Sequence, residues 1–286
     1  MRPADTARLL ALAAIWGASF IFIRVTAPVL GPVWMAEGRV LIGGLALAAW
    51  FAITGFDPQW RRHMKFYATV GVINSAAPFS LYGFAGMHLS ASVMSILNAT
   101  SPMFGLLLGA AFTGERLTAR KVAGLIVGIA GVALVARLDV LEGDPDPMLG
   151  WAVGACLAAS FTYGLTGVYI KLRGAGVPPR GIAVGAQLFG ALALTPLLPL
   201  LPPVSPPDAA VLANLVALGI LGSAIALILY FRLMTDIGAT RALTVTYLIP
   251  LFGLLWGVLL LGETVTTPVI AGGALILAGT VLATRD

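Results

Sequence analysis

Ten apolar runs, separated by short polar gaps, leave this chain few folds to choose from. They cover residues 7–26, 33–54, 64–86, 91–113, 119–136, 148–171, 180–201, 208–231, 240–261 and 267–284. A bilayer-spanning α-helix needs about 20 apolar residues, whereas a barrel strand needs about 10 of alternating polarity. The runs are continuous and of the longer kind, so they predict an all-α integral membrane protein with ten transmembrane helices. Composition agrees: 59% of residues are hydrophobic and 10% charged, against roughly 25% charged in a soluble domain. The gaps are too short to hold a soluble catalytic head. The first run reads as a span and not a cleaved leader, because no small-residue cleavage site with a polar sequel follows it. Cys156, the one cysteine, lies inside the sixth run, which excludes an intrachain disulfide and a thiolate metal cluster.

The basic residues set an orientation. Of 17 Lys and Arg, 14 fall at the termini (Arg2, Arg8, Arg285) or in alternate gaps, among them Arg61, Arg62, Lys65, Arg116, Arg120, Lys171, Arg232 and Arg241. The opposite gaps hold Arg137 alone, beside Asp139, Glu142, Asp144 and Asp146. Short cytoplasmic loops collect Lys and Arg, so both termini are expected in the cytoplasm. The net charge of +5 then reports topology and not nucleic-acid binding.

The chain also repeats itself. Pro102–Arg137 aligns without gaps on Pro250–Arg285 at an offset of 148, with 15 identities in 36 pairs, among them Gly105/Gly253, Gly109/Gly257, Glu115/Glu263 and Gly131/Gly279. The offset continues upstream through Gly71/Gly219, Ser75/Ser223 and Tyr82/Tyr230, and at 147 it pairs Trp16 with Tyr163 and Arg24 with Lys171. Two five-helix repeats, 1–137 and 148–286, are therefore expected, joined by an external acidic linker over 138–147. Five is odd, so the second repeat enters the membrane from the opposite side. Inverted repeats of this kind place a site near the bilayer midplane, between halves that rock against each other. Within the repeated phrase, Gly105-xxx-Gly109 and Gly253-xxx-Gly257 suit close helix packing. The stretches around Glu115 and Glu263 read as helix-to-helix turns at the membrane edge, ahead of ion coupling as the alternative for the two glutamates, with Thr118 and Thr266 or Thr267 as N-caps.

The paired P-x-F-G…G-E-x-x-T stretches, the W-G-A-S-F stretch at Trp16–Phe20 followed by Arg24, and Arg39 in the second run resemble the drug/metabolite transporter superfamily, EamA type. The resemblance covers essentially the whole chain and rests on the arrangement more than on any single motif. It implies secondary transport of small organic solutes, often export, through a cavity lined largely by helices 1, 3 and 4 and their partners 6, 8 and 9. The chain is most similar within that family to bacterial aromatic-amino-acid exporters, which implies the bacterial cytoplasmic (inner) membrane.

Polar and aromatic residues deep in spans are costly without a purpose. Trp16, Ser19, Asn74, Tyr82, Asn98, Tyr163, Tyr230 and Tyr247 are the candidate substrate-binding residues. Asn74, Pro78 and Tyr82 recur every four residues and so share a helix face, with Pro78 a candidate hinge. The repeat pairs Tyr82 with Tyr230 and Trp16 with Tyr163, a possible aromatic collar from both halves. Rings there could stack on an aromatic substrate while hydroxyls and amides hold its polar end. Tyr230 is equally readable as an interfacial-belt tyrosine. Glu37 and Arg39 are the charges closest to the interior of a span. Glu37 could titrate as a coupling group or cap the second helix. Arg39 could bind a carboxylate or tie its helix to backbone carbonyls. Arg24 and Lys171 can snorkel to nearby interfaces.

No phosphate-binding P-loop pattern occurs, so the chain carries no motor of its own. No cofactor or metal is expected: His63 and His88 fall in opposite loops. An intramembrane enzyme would need paired aspartates, a Ser/His pair or metal ligands, and a channel a ring of like residues or a filter loop. The reading that remains is a secondary exporter of small amphipathic metabolites, aromatic or neutral amino acids first. A multidrug or other metabolite exporter of the same fold is the alternative. Its partners are a small-molecule substrate and the lipid bilayer, and with both repeats in one chain a monomer suffices.

Overall fold

The computed structural model describes residues 2–136 and 147–284. Most of the expected acidic linker, with its carboxylates at 139–146, lies outside the described residues. Among those described there are helices and no strand. The order is α1 (Pro3–Ile53), α2 (Trp60–Gly71), a π turn (Val72–Ala76), α3 (Ala77–His88), α4 (Ala91–Asn98), α5 (Ser101–Thr113) and α6 (Ala119–Ala136). After the linker come α7 (Leu149–Arg173), α8 (Pro179–Leu194), a 3₁₀ segment (Thr195–Leu200), α9 (Ala209–Gly219), a second π turn (Ile220–Ile225), α10 (Ala226–Ile237), α11 (Ala239–Ala242), α12 (Val245–Leu261) and α13 (Thr267–Thr284).

Seven of these helical stretches are long and apolar enough to cross a membrane, with α12 as a shorter apolar helix. The difference from ten runs has local causes. The first two runs meet inside α1 with no loop between them. There Gly31, flanked by Pro28 and Pro32, adopts φ 78 and ψ 166. That backbone region is open to glycine and strained for other residues. The third run is assembled from α2, the π turn and α3, with the basic residues Arg61, Arg62 and Lys65 in its first turns.

Glycines set how closely the helices pack. At the α6–α13 crossing, a methyl on Gly279 would lie 2.5 Å from the Gly128 nitrogen, and one on Gly131 2.7 Å from the Gly272 oxygen. Close approach of this kind replaces the hydrophobic drive that lipid does not supply. The repeated phrase is used similarly: a methyl on Gly17 would meet the Gly253 nitrogen at 2.8 Å, and one on Gly164 the Gly105 nitrogen at 2.7 Å. The repeat exchanges these two crossings. The π turns obey the same relation, since 72 and 220 are 148 apart. Each is met closely by a glycine from the other half of the chain: Gly43 at Ser223 and Gly190 at Ser75.

Candidate functional site

Around these π turns the structure gathers most of the sequence candidates. The Tyr82 and Tyr163 rings stack with centroids 6.3 Å apart and planes at 28°. The Trp16 and Tyr230 rings lie 5.4 Å apart at 50°. Each pair joins one residue from each half, and the repeat carries one pair onto the other. Tyr82 is buried. Its hydroxyl donates to Asn98 Oδ1 at 2.8 Å and lies 3.5 Å from Ser160 Oγ. Ser160 in turn donates to the Leu97 carbonyl at 3.3 Å, and Phe20 meets the Tyr82 ring edge-on at 5.5 Å.

Arg39 reaches from α1 to the second π turn. It is 6% exposed. Nε donates to Ser223 Oγ at 3.2 Å, Nη2 approaches the Gly222 carbonyl at 3.5 Å, and the guanidinium carbon sits 3.8 Å over the Phe79 ring. Among the described residues it pairs with no carboxylate. Ser19 donates to the Ile15 carbonyl at 3.3 Å and packs against Gly222, where an added methyl would meet its hydroxyl at 2.6 Å. The repeat breaks here. Ser75, counterpart of Ser223, has a buried hydroxyl without a partner, and the residue 147 beyond Arg39 is Ala186. A buried cation without a counter-ion is expensive in hydrocarbon, and this one belongs to the first half alone.

Glu37 points elsewhere, as a two-residue separation on a helix requires. Its Oε1 accepts from Thr195 Oγ1 at 3.1 Å, while Oε2 is buried and unpartnered. It does not cap a helix, because α1 runs through it. Pro78 occupies the first turn of α3, directly after the π turn. Asn74 lies half-buried within that turn. A π turn holds an extra residue, so Asn74 loses the strict four-residue register with Tyr82. Tyr247 shares a hydrogen bond with Thr284 and joins neither aromatic pair.

Sequence reasoning missed both π turns, the supporting residues Phe20, Phe79 and Ser160, and the chemistry of the two glutamates. The paired Gly71/Gly219 and Ser75/Ser223 were the available signal for the turns. Glu263 is more than a turn residue. Its carboxylate accepts from the backbone nitrogens of Ala91 and Ser92 at 2.7 and 3.0 Å, and from the Ser92 hydroxyl at 2.6 Å. It thereby caps α4, whose exposed amides favour an anion. Glu115 instead pairs with Lys171 at 2.6 Å. Arg24 donates to the Gly86 and Met87 carbonyls, at 3.0 and 3.3 Å, at the end of α3. Thr118 accepts from the Lys121 nitrogen as an N-cap, whereas the Thr266 hydroxyl is buried without a partner.

Known proteins resemble the chain along nearly its full length. A probable terminal-alkyne amino-acid exporter of Streptantibioticus cattleyicolor is 29% identical, over 94% of this chain and 90% of its own. The uncharacterized inner membrane transporter YedA of Escherichia coli is 25% identical, over 90% and 83%. One solved crystal structure, 22% identical, superposes with a TM-score of 0.67 over 99% of this chain and 97% of the other, which shows a shared fold. The EamA-like transporter family matches residues 7–137 and again 150–285. With both halves matched, this chain belongs to the EamA-like transporter family and is a multi-pass, membrane-embedded transporter.

Proposed function

We propose that the chain is a secondary exporter of amphipathic carboxylates, aromatic or neutral amino acids first, working by alternating access between two inverted five-helix halves. In this reading ten segments span the bacterial inner membrane, with both termini in the cytoplasm and the acidic linker outside, and a monomer suffices. Three things support it: the family matches each half separately, the basic residues alternate between gaps, and one relative is named as an amino-acid exporter.

The observation that carries the reading is the arrangement around Arg39. The two aromatic pairs, Tyr82–Tyr163 and Trp16–Tyr230, each bridge the halves, and the Arg39 guanidinium, without a carboxylate partner among the described residues, contacts the π turn of the second half. Rings accept the flat face of a substrate, and a planar fork of donors suits a carboxylate. Ser19, Asn98 and Asn74 supply polar contacts for the remaining groups. Glu37, with one unpartnered oxygen, is the candidate coupling group, and the π turn before Pro78 is the candidate hinge.

Counterflow tests this directly. Proteoliposomes loaded with unlabelled phenylalanine should transiently accumulate labelled phenylalanine, and external tryptophan or tyrosine should block the accumulation. Tyr82→Ala should weaken that competition. No accumulation with correctly folded protein, or competition only by drug-like cations, would move the assignment to the multidrug alternative.

A further inference from the structure

The two copies of the repeated phrase have the same backbone but different partners. Gly114 and Gly262 both end their helices in the left-handed region, at φ 72 and φ 64. The next nitrogen, of Glu115 or Glu263, returns in each case to the carbonyl of the phrase's second glycine, Gly109 or Gly257. The carboxylates then diverge. Glu263 holds the start of α4, and beside it Arg24 holds the last carbonyls of α3. The α3–α4 connection is thus clamped by an acid on one side and a base on the other. At the opposite end of the molecule the corresponding arms, Glu115 and Lys171, grip each other.

What those arms would otherwise hold can be read from the repeat. At an offset of 148, Gly86, Met87, Ala91 and Ser92 correspond to Met234, Thr235, Ala239 and Thr240. Glu115 and Lys171 hold each other, and among the described residues neither reaches that second connection. Packing follows the same split. Along the clamped end α4 packs against α12, whereas α11 makes no comparable contact with α5 among the described residues. Ser95 is 0% exposed and its counterpart Leu243 is 50% exposed. A recess of about 690 Å³ lies beside Glu115, lined by Pro102, Gly105, Leu106, Glu115, Lys121 and Thr284.

We propose that Glu263 and Glu115 are the gate residues of transport: each carboxylate caps the facing helix start when its own end is closed, and pairs with the basic residue of its own end, Arg24 or Lys171, when that end is open. The structure holds one end in each condition. In the opposite state Glu115 caps the backbone nitrogens at 239 and 240, Lys171 donates to the Met234 and Thr235 carbonyls, and Glu263 pairs with Arg24. The shared chemistry is a helix N-terminus that takes an anion from its own chain. Each state then holds one carboxylate as a cap and the other in an ion pair, with the roles exchanged by the repeat. The two states so stay close in energy, while each single carboxylate favours the state in which it caps. This rests on the alternating-access reading above and adds to it the residues that set the balance.

Thiol accessibility tests it in the full chain, with Cys156→Ala as background and single reporters Ser95→Cys and Leu243→Cys. The Glu115–Lys171 pair is solvent-exposed and such pairs contribute little, so losing one carboxylate chiefly loses its cap and shifts the balance by roughly fivefold. Glu263→Gln should raise labelling at position 95 and lower it at position 243 by about that factor. Glu115→Gln should do the reverse, protecting position 95. The opposed signs separate gating from a loosened fold, which would raise both rates in both variants. Equal-direction changes, or no change in either variant, would overturn the gate assignment even if counterflow is intact. Opposed changes in a protein that shows no counterflow would support the gate and count against the proposed substrate.

Discussion

Arg39→Gln isolates what the buried guanidinium does. Arginine carries five N–H donors in a fixed fork. Two of them are engaged here, by Ser223 Oγ at 3.2 Å and, at a long 3.5 Å, by the Gly222 carbonyl. The donors left over, with an unneutralised charge, are what a substrate carboxylate would use. A hydrogen bond between charged groups contributes about 1.5–3 kcal/mol, which corresponds to roughly a 10- to 150-fold change in affinity. Glutamine can still donate to Ser223, so the structural contact is partly kept while the charge is removed. The assay is counterflow under competition by phenylalanine and by phenethylamine, which has the ring and the amine but no carboxylate. Arg39→Gln should raise the phenylalanine concentration needed for half-competition by that factor and leave phenethylamine within about twofold. Arg39→Lys, a point charge without the fork, should fall between. If both competitors weaken equally, Arg39 acts by tying α1 to the second π turn and not by binding the carboxylate. Thermal unfolding in detergent separates that outcome from simple instability.

Other consequences follow from contacts already described. Gly279→Ala drives a methyl into the Gly128 backbone; overpacking of this kind costs about 1–3 kcal/mol, and the loss should appear as a lower unfolding temperature in detergent, with an unchanged midpoint refuting the close crossing. Tyr82→Phe keeps the ring stacked on Tyr163 but removes the donor to Asn98, so half-saturation by phenylalanine should change by less than about fivefold, matching the roughly 1 kcal/mol of one neutral hydrogen bond, while Tyr82→Ala should exceed it. Gly31→Ala places a side chain at φ 78, ψ 166 between Pro28 and Pro32, a region essentially reserved for glycine, and should destabilise the fold by about 1–3 kcal/mol, measured by the same unfolding assay.

Much of the architecture was legible because it depends on sums over many residues. Runs of about 20 apolar residues specify helices whatever their neighbours, and the 15 identities in 36 pairs include the crossing glycines Gly105/Gly253 and Gly131/Gly279. What depended on a single backbone event was not legible. Nothing in the residue pattern separates a 51-residue α1 turned at Gly31 from two helices joined by a loop. The π turns share the composition of an ordinary helix, and only their recurrence 148 residues apart marks them. Tyr82, Tyr163, Trp16 and Tyr230 were found as types, but the repeat suggested partners by correspondence, and the contacts cross that correspondence: Tyr82 meets Tyr163, not Tyr230.

The glutamates show why the remainder could not be read along the chain. G-E-x-x-T fixes a left-handed glycine and a return hydrogen bond, and both copies form that turn. Whether the carboxylate then meets a helix start or a base is decided by the facing connection, and both options are present at both ends: Ala91 and Arg24 for one, Ala239 and Lys171 for the other. A sequence that encoded a clear preference would hold the molecule in one state. In the proposed gate the near-identity of the two phrases keeps the two states close in energy, so the local pattern that would allow exchange is the same pattern that hides which partner each glutamate holds.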